Sequence, residues 1–599
     1  MKQLSIQIGN DFLDLAAGTQ LQLVEENPIL QLTDTVLGPY SMPFVVPHTE
    51  KNLRILGMVS AVYTDKTKIS LPAIIWENGV QHSVGTIKVE QVLGNLNDAR
   101  QGASSLYYLT GTSSFFDLVQ DIKLNAFEFG GLRTFQGLSG TNYNQTFGFG
   151  QHLAQVAQTA AGVFDYAFFP VKNEAWQSED GTVKAHWMNT VDANGLIRIL
   201  NSATTAHTPI CPFPYVKYVL QTIFKSLGYT LLGEILNDRN FIKICLLSFR
   251  DILYCSSSLH SDGTTGIRMK ASVSFDLKNY MPDVTVGSFL ISLKNRFGWY
   301  YDFDIKSKTC TILYLKDVIN GASQDITSLI HANYQNRIDL KGKVYALTTT
   351  VDAGDSYTGA PDFAGKTFLG NFSSVPLIVP SEAIQGSYYF LEHENAFYIC
   401  RATAANENVF DFEKYTDNIY DYLPAGNNET INSIAEPVSM ERTDLILTST
   451  GTAARSGIFP RADVQGIWQG KFDQDTAWGI RLAFFHGFLP DDNLHNYPYA
   501  SNHPLNNQGV LIGDWALSYE FNDVSNGVAN GLYNIFWKDF LARIKQHETY
   551  TVQVRYPFSE KNNIKFGDGK IIQHTRFFVK TKTSFIPYDG QLQIDLIKI

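Results

Sequence analysis

The chain has 599 residues, with 47 Lys and Arg against 58 Asp and Glu, a net charge of −11 and only 18% charged residues. The acidic balance excludes a protein whose main task is coating nucleic acid, which needs a basic surface. The 40 Phe, 30 Tyr and 8 Trp exclude a disordered chain, because that much aromatic surface needs a core or an interface. At roughly 150 residues per domain the length predicts about four domains.

The first residues, MKQLSIQIGNDFLDL, alternate polar with apolar and carry Asp11 and Asp14 where a secretory signal would have an apolar stretch. The longest mostly apolar runs, such as Ile242–Phe249, fall far short of the ~20 residues needed to cross a bilayer. We therefore expect a soluble protein, not exported by the usual signal and without a membrane span. Strand patterns open the chain at Ser5–Ile8 and Gln20–Val24 and continue at Lys68–Leu71, Pro72–Trp76, Val80–Val84 and Thr86–Val89. Glu77-Asn78-Gly79 predicts a hairpin turn. Short strands at this spacing predict a small barrel or sandwich.

Residues 130–150, GGLRTFQGLSGTNYNQTFGFG, are rich in glycine, but no apolar strand leads into them and no helix opens from them as a phosphate loop requires. A mobile surface loop is expected there, with Phe135, Phe147 and Phe149 as docking aromatics. Further on, Val216, Val219, Leu220, Ile223, Phe224 and Leu227 form one helical face, and Gly228 follows as its cap. A second helix is predicted from Thr285 as N-cap through Val286, Phe289, Leu290, Leu293 and Phe297 to Gly298. After it, Trp299–Asp304 and Thr309–Tyr314 should pair as a hairpin. A third apolar stripe, Leu532, Tyr533, Phe536, Trp537, Phe540, Leu541 and Ile544, predicts a helix near the C-terminus. Strands then follow at Tyr550–Arg555, Thr575–Lys580 and Gln591–Ile597, with a turn at Phe566–Gly569.

The fold expected is mainly β and multidomain, with α+β middle and C-terminal parts: small β-barrel or sandwich domains with a few packed amphipathic helices. The boundaries give a barrel-like domain over 1–110 and a β-rich domain with the glycine-rich loop over 111–205. An α+β helix–hairpin domain covers 206–325, a β-rich insertion or linker 326–440, and an α+β domain 441–599.

No catalytic pattern is complete. Gly137-Leu-Ser-Gly140 is too short for a nucleophile elbow. His393-Glu394 and His547-Glu548 lack the second histidine of a zinc protease motif, since Phe397 and Thr551 stand four residues on. Asp302 and Asp304 read as a solvated strand face, Asp491-Asp492 as a turn, and Asp411, Glu413, Asp417 and Asp421 as a solvated or interface loop without EF-hand spacing. Cys211, Cys245, Cys255, Cys310 and Cys400 form no CxxC pair, so buried free thiols in a reducing cytoplasm are expected. No catalytic, cofactor-binding or metal-ligating residue is assigned, and no enzyme activity or cofactor is expected.

Three stretches resemble tail proteins of tailed phages and prophages of Bacteroidetes-type hosts. They are Tyr40–Gly57, with the pattern PF..P.T..N...LG; Thr285–Leu315; and Arg481–Gly487 together with Tyr497–Ser501 and Gly531–Lys538. The resemblance implies a structural virion protein, a baseplate hub or tail-associated protein that forms a homotrimer at the distal end of the tail tube. Two barrel-like domains per subunit would give its ring a pseudo-sixfold surface. It implies as partners further copies of the chain, the tail tube or distal tail protein, a central spike or fibre and a tape-measure protein. Assembly would take place in the host cytoplasm. DNA would pass through the ring without specific binding, and an acidic inner wall would let it slide. Phe484, Phe485, Tyr497, Tyr499, Trp515, Trp537 and Phe540 are candidates for trimer contacts, though about two-thirds are expected in the domain's own core. The alternatives are a receptor- or glycan-binding tail protein using Trp468 and Trp478, which are more readily core residues, and a glycan depolymerase working with two carboxylates.

Overall fold

The computed structural model describes residues 4–598, apart from 33–39, 137–147, 178–183, 198–207, 260–264, 339–343, 358–366, 375–386, 392–395, 404–409, 418–427, 447–452, 470–476, 524–527, 556–565, 587–591 and shorter stretches of one to three residues. Strands dominate, with a few helices packed on them. The N-terminal strands form a lobe around Ile6, Leu21, Leu23, Phe44, Val46 and Ile75. Strand Phe44–Pro47 shows how: its side chains alternate inward and outward, burying Phe44 and Val46. The predicted pairs Lys68–Leu71/Pro72–Trp76 and Val80–Val84/Thr86–Val89 are single strands, Ser70–Glu77 and Val80–Gly94. They meet at the predicted turn, where Asn78 and Gly79 both take positive φ, 52° and 79°, as a tight hairpin demands.

This lobe does not close into the expected barrel. Leu4–Ile8 takes Ser70–Glu77 on one side and the short strand Asp11–Phe12 on the other. Leu21–Glu26, which would have to complete the circle, pairs with Tyr40–Ser41 on one edge and with Thr575–Ile586 on the other. The N-terminal and C-terminal strands thereby join one 14-stranded sheet. Asn27 fastens this seam by donating from Nδ2 to the Val579 carbonyl at 2.6 Å. Lys582 reaches Glu25 at 2.6 Å across the register pair Glu25↔Lys582. The C-terminal lobe has its own core of Val552, Val554, Val579, Leu592, Ile594 and Leu596.

Between the lobes lies the α+β part. Helix Val216–Ser226 buries the predicted face and ends at Gly228, φ 78°, where Tyr229 N–H closes on the Phe224 carbonyl at 2.8 Å. Helix Val286–Phe297 starts at Thr285, whose hydroxyl accepts from Ser288 N–H, and ends at left-handed Gly298. The hairpin pairs Trp299 with Tyr314 through Asp304 with Thr309, as expected. The third helix differs. Tyr533–Trp537 is a π turn that runs into the α-helix Lys538–Ile544. The wider turn faces two neighbouring aromatics inward, with Phe536 stacked on Tyr314 at 4.9 Å and Trp537 against Gly298.

The glycine-rich tract is also more ordered than expected where it is described. Leu132–Gln136 is a strand paired with Ser272–Asp276, and Phe149 opens the helix Phe149–Gln158. Phe149 is fully buried and Phe135 stacks on His152 at 4.4 Å, so neither is a free docking ring; Phe147 lies outside the described residues. Residues 344–349 and 428–433 run side by side as a parallel pair. Between them the chain builds a separate four-stranded sheet, Phe368–Phe372, Tyr388–Leu391, Ala396–Thr403 and Phe410–Lys414, in that order. Cys211, Cys245, Cys310 and Cys400 are buried thiols outside any disulfide, as the sequence suggested; the Cys255 side chain lies outside the described residues.

The motif PF..P.T..N...LG is a folding device. Thr49 caps the short helix Glu50–Ile55 and Gly57 leaves it at φ 68°. Buried Asn52 accepts from Asp14 N–H at 2.8 Å and donates to the carbonyls of Asp14 and Pro47 at 2.9 and 2.8 Å. Replacing Asn52 with Ala strands these backbone groups, so Asn52→Ala should cost about 2–4 kcal/mol in the N-terminal lobe. Chemical denaturation followed by the exchange of amides in residues 4–110 measures it.

Candidate functional site

Most of the acidic and aromatic residues singled out in the sequence whose side chains are described pack in cores or close turns. Phe484, Phe485, Tyr497, Tyr499, Trp515, Trp537 and Phe540 are all buried within the single chain, which removes them as trimer contacts. The reason is geometric: the strand Ile480–Pro490 is covered on both faces, so Phe484 and Phe485 point into two different cores. Trp478 is buried with its ring edge-on to Phe249 at 6.2 Å, so it offers no sugar-stacking face. The side chain of Trp468 lies outside the described residues, as do His393, Glu394, His547 and the side chains of Asp411, Glu413, Asp417 and Asp421. Asp302 and Asp304 are exposed on their strand. Asp491 closes the turn after Pro490, accepting from Asn493 and His495 N–H at 2.9 and 2.8 Å, and Asp492 pairs with Arg442 at 2.6 Å.

Two surfaces remain open. The outer face of the N-terminal lobe exposes Val45 and Leu93, on strands joined through Gly102–Thr110. At the far end of the large sheet, Ile330–Ile338 pairs with Glu548–Val554 and, among the described residues, its other edge meets no strand. Its side chains Gln335, Asn336 and Arg337 are exposed, the polar dressing that keeps a free edge from indiscriminate pairing.

The densest chemistry is buried and was not found by motif. Arg481, first residue of the third resembling stretch, is fully buried on the strand Ile480–Pro490. Around its guanidinium stand Asp355 at 2.6 Å, Glu436 at 3.2 Å and Asp352 at 3.8 Å. Backbone groups hold these carboxylates in place: Asp355 accepts from Asp463 and Tyr357 N–H, Glu436 from Asp352 N–H, and Asp352 from Gly479 N–H. Burial pushes the carboxyls of Asp355 and Glu436 above their ordinary range, against the opposing pull of Arg481. Beside this node, Arg461 binds Asp463 at 2.6 Å and also Glu441, while Lys172 reaches Glu441 at 2.8 Å. The ring of Tyr357 lies 4.2 Å from the Arg461 guanidinium. Long sequence separation hid the cluster, since its members come from residues 172, 352–357, 436–441, 461–463 and 481.

Among the described residues no group of His, Cys, Asp or Glu is arranged to hold a metal ion, and no helix is long and apolar enough to cross a membrane. No known family model matches the chain, and no curated protein matches it. Among solved structures, the chain is similar to the 43 kDa tail protein of prophage MuSo2 from Shewanella oneidensis, with a TM-score of 0.32, 7% identity, and 100% of this chain and 97% of that one covered. It is similar also to the tail protein from Neisseria meningitidis MC58, with a TM-score of 0.29, 7% identity, and 100% and 96% covered.

Removing the cation from the node leaves the enclosed carboxylates of Asp355 and Glu436, with half-buried Asp352 beside them, facing one another. Arg481→Met should therefore lower stability by about 3–5 kcal/mol, read as a shifted denaturation midpoint of the full chain.

Proposed function

We propose that the chain is a structural protein of a phage tail, a hub that assembles as a homotrimeric ring at the distal end of the tail tube. The ring would connect the tube, through a distal tail protein, to a central spike or fibre, with a tape-measure protein as a further neighbour. The observation that carries the reading is the pair of β lobes, each with its own apolar core, fused edge to edge by the seam between Leu21–Glu26 and Thr575–Ile586. Such a double plate gives two wall segments per copy, so three copies supply six. The stretches resembling tail hub proteins also fall at framework points: the Asn52 clamp, the capped helix with its hairpin, and Arg481. That is what a protein working by shape requires, and the reading assigns no catalytic residue, cofactor or membrane span. The virion, assembled in the host cytoplasm, is its place. The sequence resemblance is also the source of the Bacteroidetes-type host assignment.

The purified protein should form a closed ring of three copies, with a mass three times that of the chain in mass photometry and threefold symmetry in electron micrographs of native tails. A chain that is solitary both in solution and in the particle, or that releases reducing ends from host glycans, would overturn the reading.

A further inference from the structure

Two turns stand side by side beyond the strand Ile480–Pro490. Residues 491–495 close on Asp491, whose N–H donates to the His495 carbonyl at 2.9 Å. Residues 506–510 close on Asn506, whose side-chain oxygen accepts from Val510 N–H at 2.9 Å. The turns are tied together, since Gln508 donates to the Asp491 carbonyl at 2.7 Å and Asn507 to the Pro490 carbonyl at 3.1 Å. The resulting tip holds Leu494, Val510 and Leu511 out in solvent, at 73%, 57% and 48% exposure. Apolar side chains on loops already fixed by hydrogen bonds lose little freedom when they dock.

Leu494 carries a second mark. Its φ is 65°, in the left-handed region that Gly, Asn or Asp fills at little cost and a bulky side chain does not. Among the described non-glycine residues with positive φ, Met58 is the one other apolar residue, at 57°, and it too is exposed. Neither residue gains burial within the subunit in return for its strain, and strain of this kind collects at positions with a use. Met58 belongs to the N-terminal lobe. Two residues on, the Ser60 carbonyl lies 3.7 Å from the place a Cβ would take on Gly94, the neighbour of Leu93.

That neighbourhood is the outer apolar face of the lobe. The register sets Leu93 beside Ala103 and Ala103 beside Pro47, with Val45 two positions along from Pro47, so these side chains share one face on strands about 4.8 Å apart. Residues 44–47, 91–94 and 102–106 contain no Asp, Glu, Lys or Arg, and adjacent Glu90 accepts from the Ser105 hydroxyl at 2.6 Å. The tip matches this lack of charge: Asp491 is buried in its own turn and Asp492 is held by Arg442 at 2.6 Å. Each surface can therefore cover the other without burying an unpaired charge.

We propose that the tip at Leu494, Val510 and Leu511 docks on the Val45–Leu93 face of a second copy of this chain. The contact joins two different surfaces, so it runs head to tail, and a head-to-tail contact closes into a ring when its rotation divides the circle. The proposal rests on the ring reading above and assigns the surfaces that close the ring.

Sedimentation equilibrium of the full chain tests it. Leu494→Asp, whose new side chain tolerates positive φ, and Leu93→Lys should each weaken assembly at least about thirtyfold, as loss of an interface anchor does. The double variant, which sets opposite charges against each other in every contact, should return to within about tenfold of wild type. Leu494→Asn should weaken assembly while keeping or raising the thermal midpoint of the subunit, which separates lost docking from lost folding. A ring that withstands either charged substitution, or a double variant that recovers nothing, would overturn this contact and leave the ring reading standing. Disruption by Leu494→Asp but not by Leu93→Lys would mean tip-to-tip pairing and would also overturn it. A wild-type chain solitary in solution and in the particle would bring down both.

Discussion

Backbone pairing between Leu21–Glu26 and Thr575–Ile586 is the contact on which the rest of the architecture depends. It joins residues 552 apart at the Asn27–Val579 bond, yet the entropy of closing so long a loop grows only with the logarithm of its length. Six register pairs, the Asn27 anchor and the Lys582–Glu25 ion pair can therefore hold it. The same pairing takes the edge that a closed N-terminal barrel would need. Among the described residues, Ile330–Ile338 ends the resulting sheet.

Charge and aromatic surface are distributed by a common logic. Aromatic side chains fill the cores, where Phe115 stacks on Phe224 at 5.3 Å and Trp299 on Phe297 at 5.1 Å. Several buried charges stand where distant segments cross: Arg481 among residues of the 350s and 430s, and Glu441 between Lys172 and Arg461. Apolar packing tolerates many arrangements, whereas a guanidinium enclosed by carboxylates accepts few. These crossings thus select one alignment of strands that apolar contacts alone would leave degenerate.

The sequence announced what is local. The caps at Thr285, Gly228 and Gly298 and the Asn78-Gly79 turn are written in residues a few positions apart, and the helices and hairpins they bound lie where expected. It was silent on what is distant. No pattern links Glu25 to Lys582, and the members of the Arg481 node come from separate segments. One further departure has a local cause that overrides propensity. The π turn at Tyr533–Trp537 arises because Tyr314 and Gly298 receive adjacent rings, whereas Trp478 is buried against Phe249 as expected. Burial of the C-terminal aromatics also shows why interface and core look alike in a sequence, since both need the same side chains.

The seam also sets an order of events during synthesis. Leu21–Glu26 leaves the ribosome long before Thr575–Ile586, so a half-built sheet must wait with one flank bare until its second strand has been made. A message cut short before Thr575–Ile586 yields a polypeptide whose waiting flank can be satisfied only by another molecule. Early termination thus converts a self-contained subunit into an adhesive one.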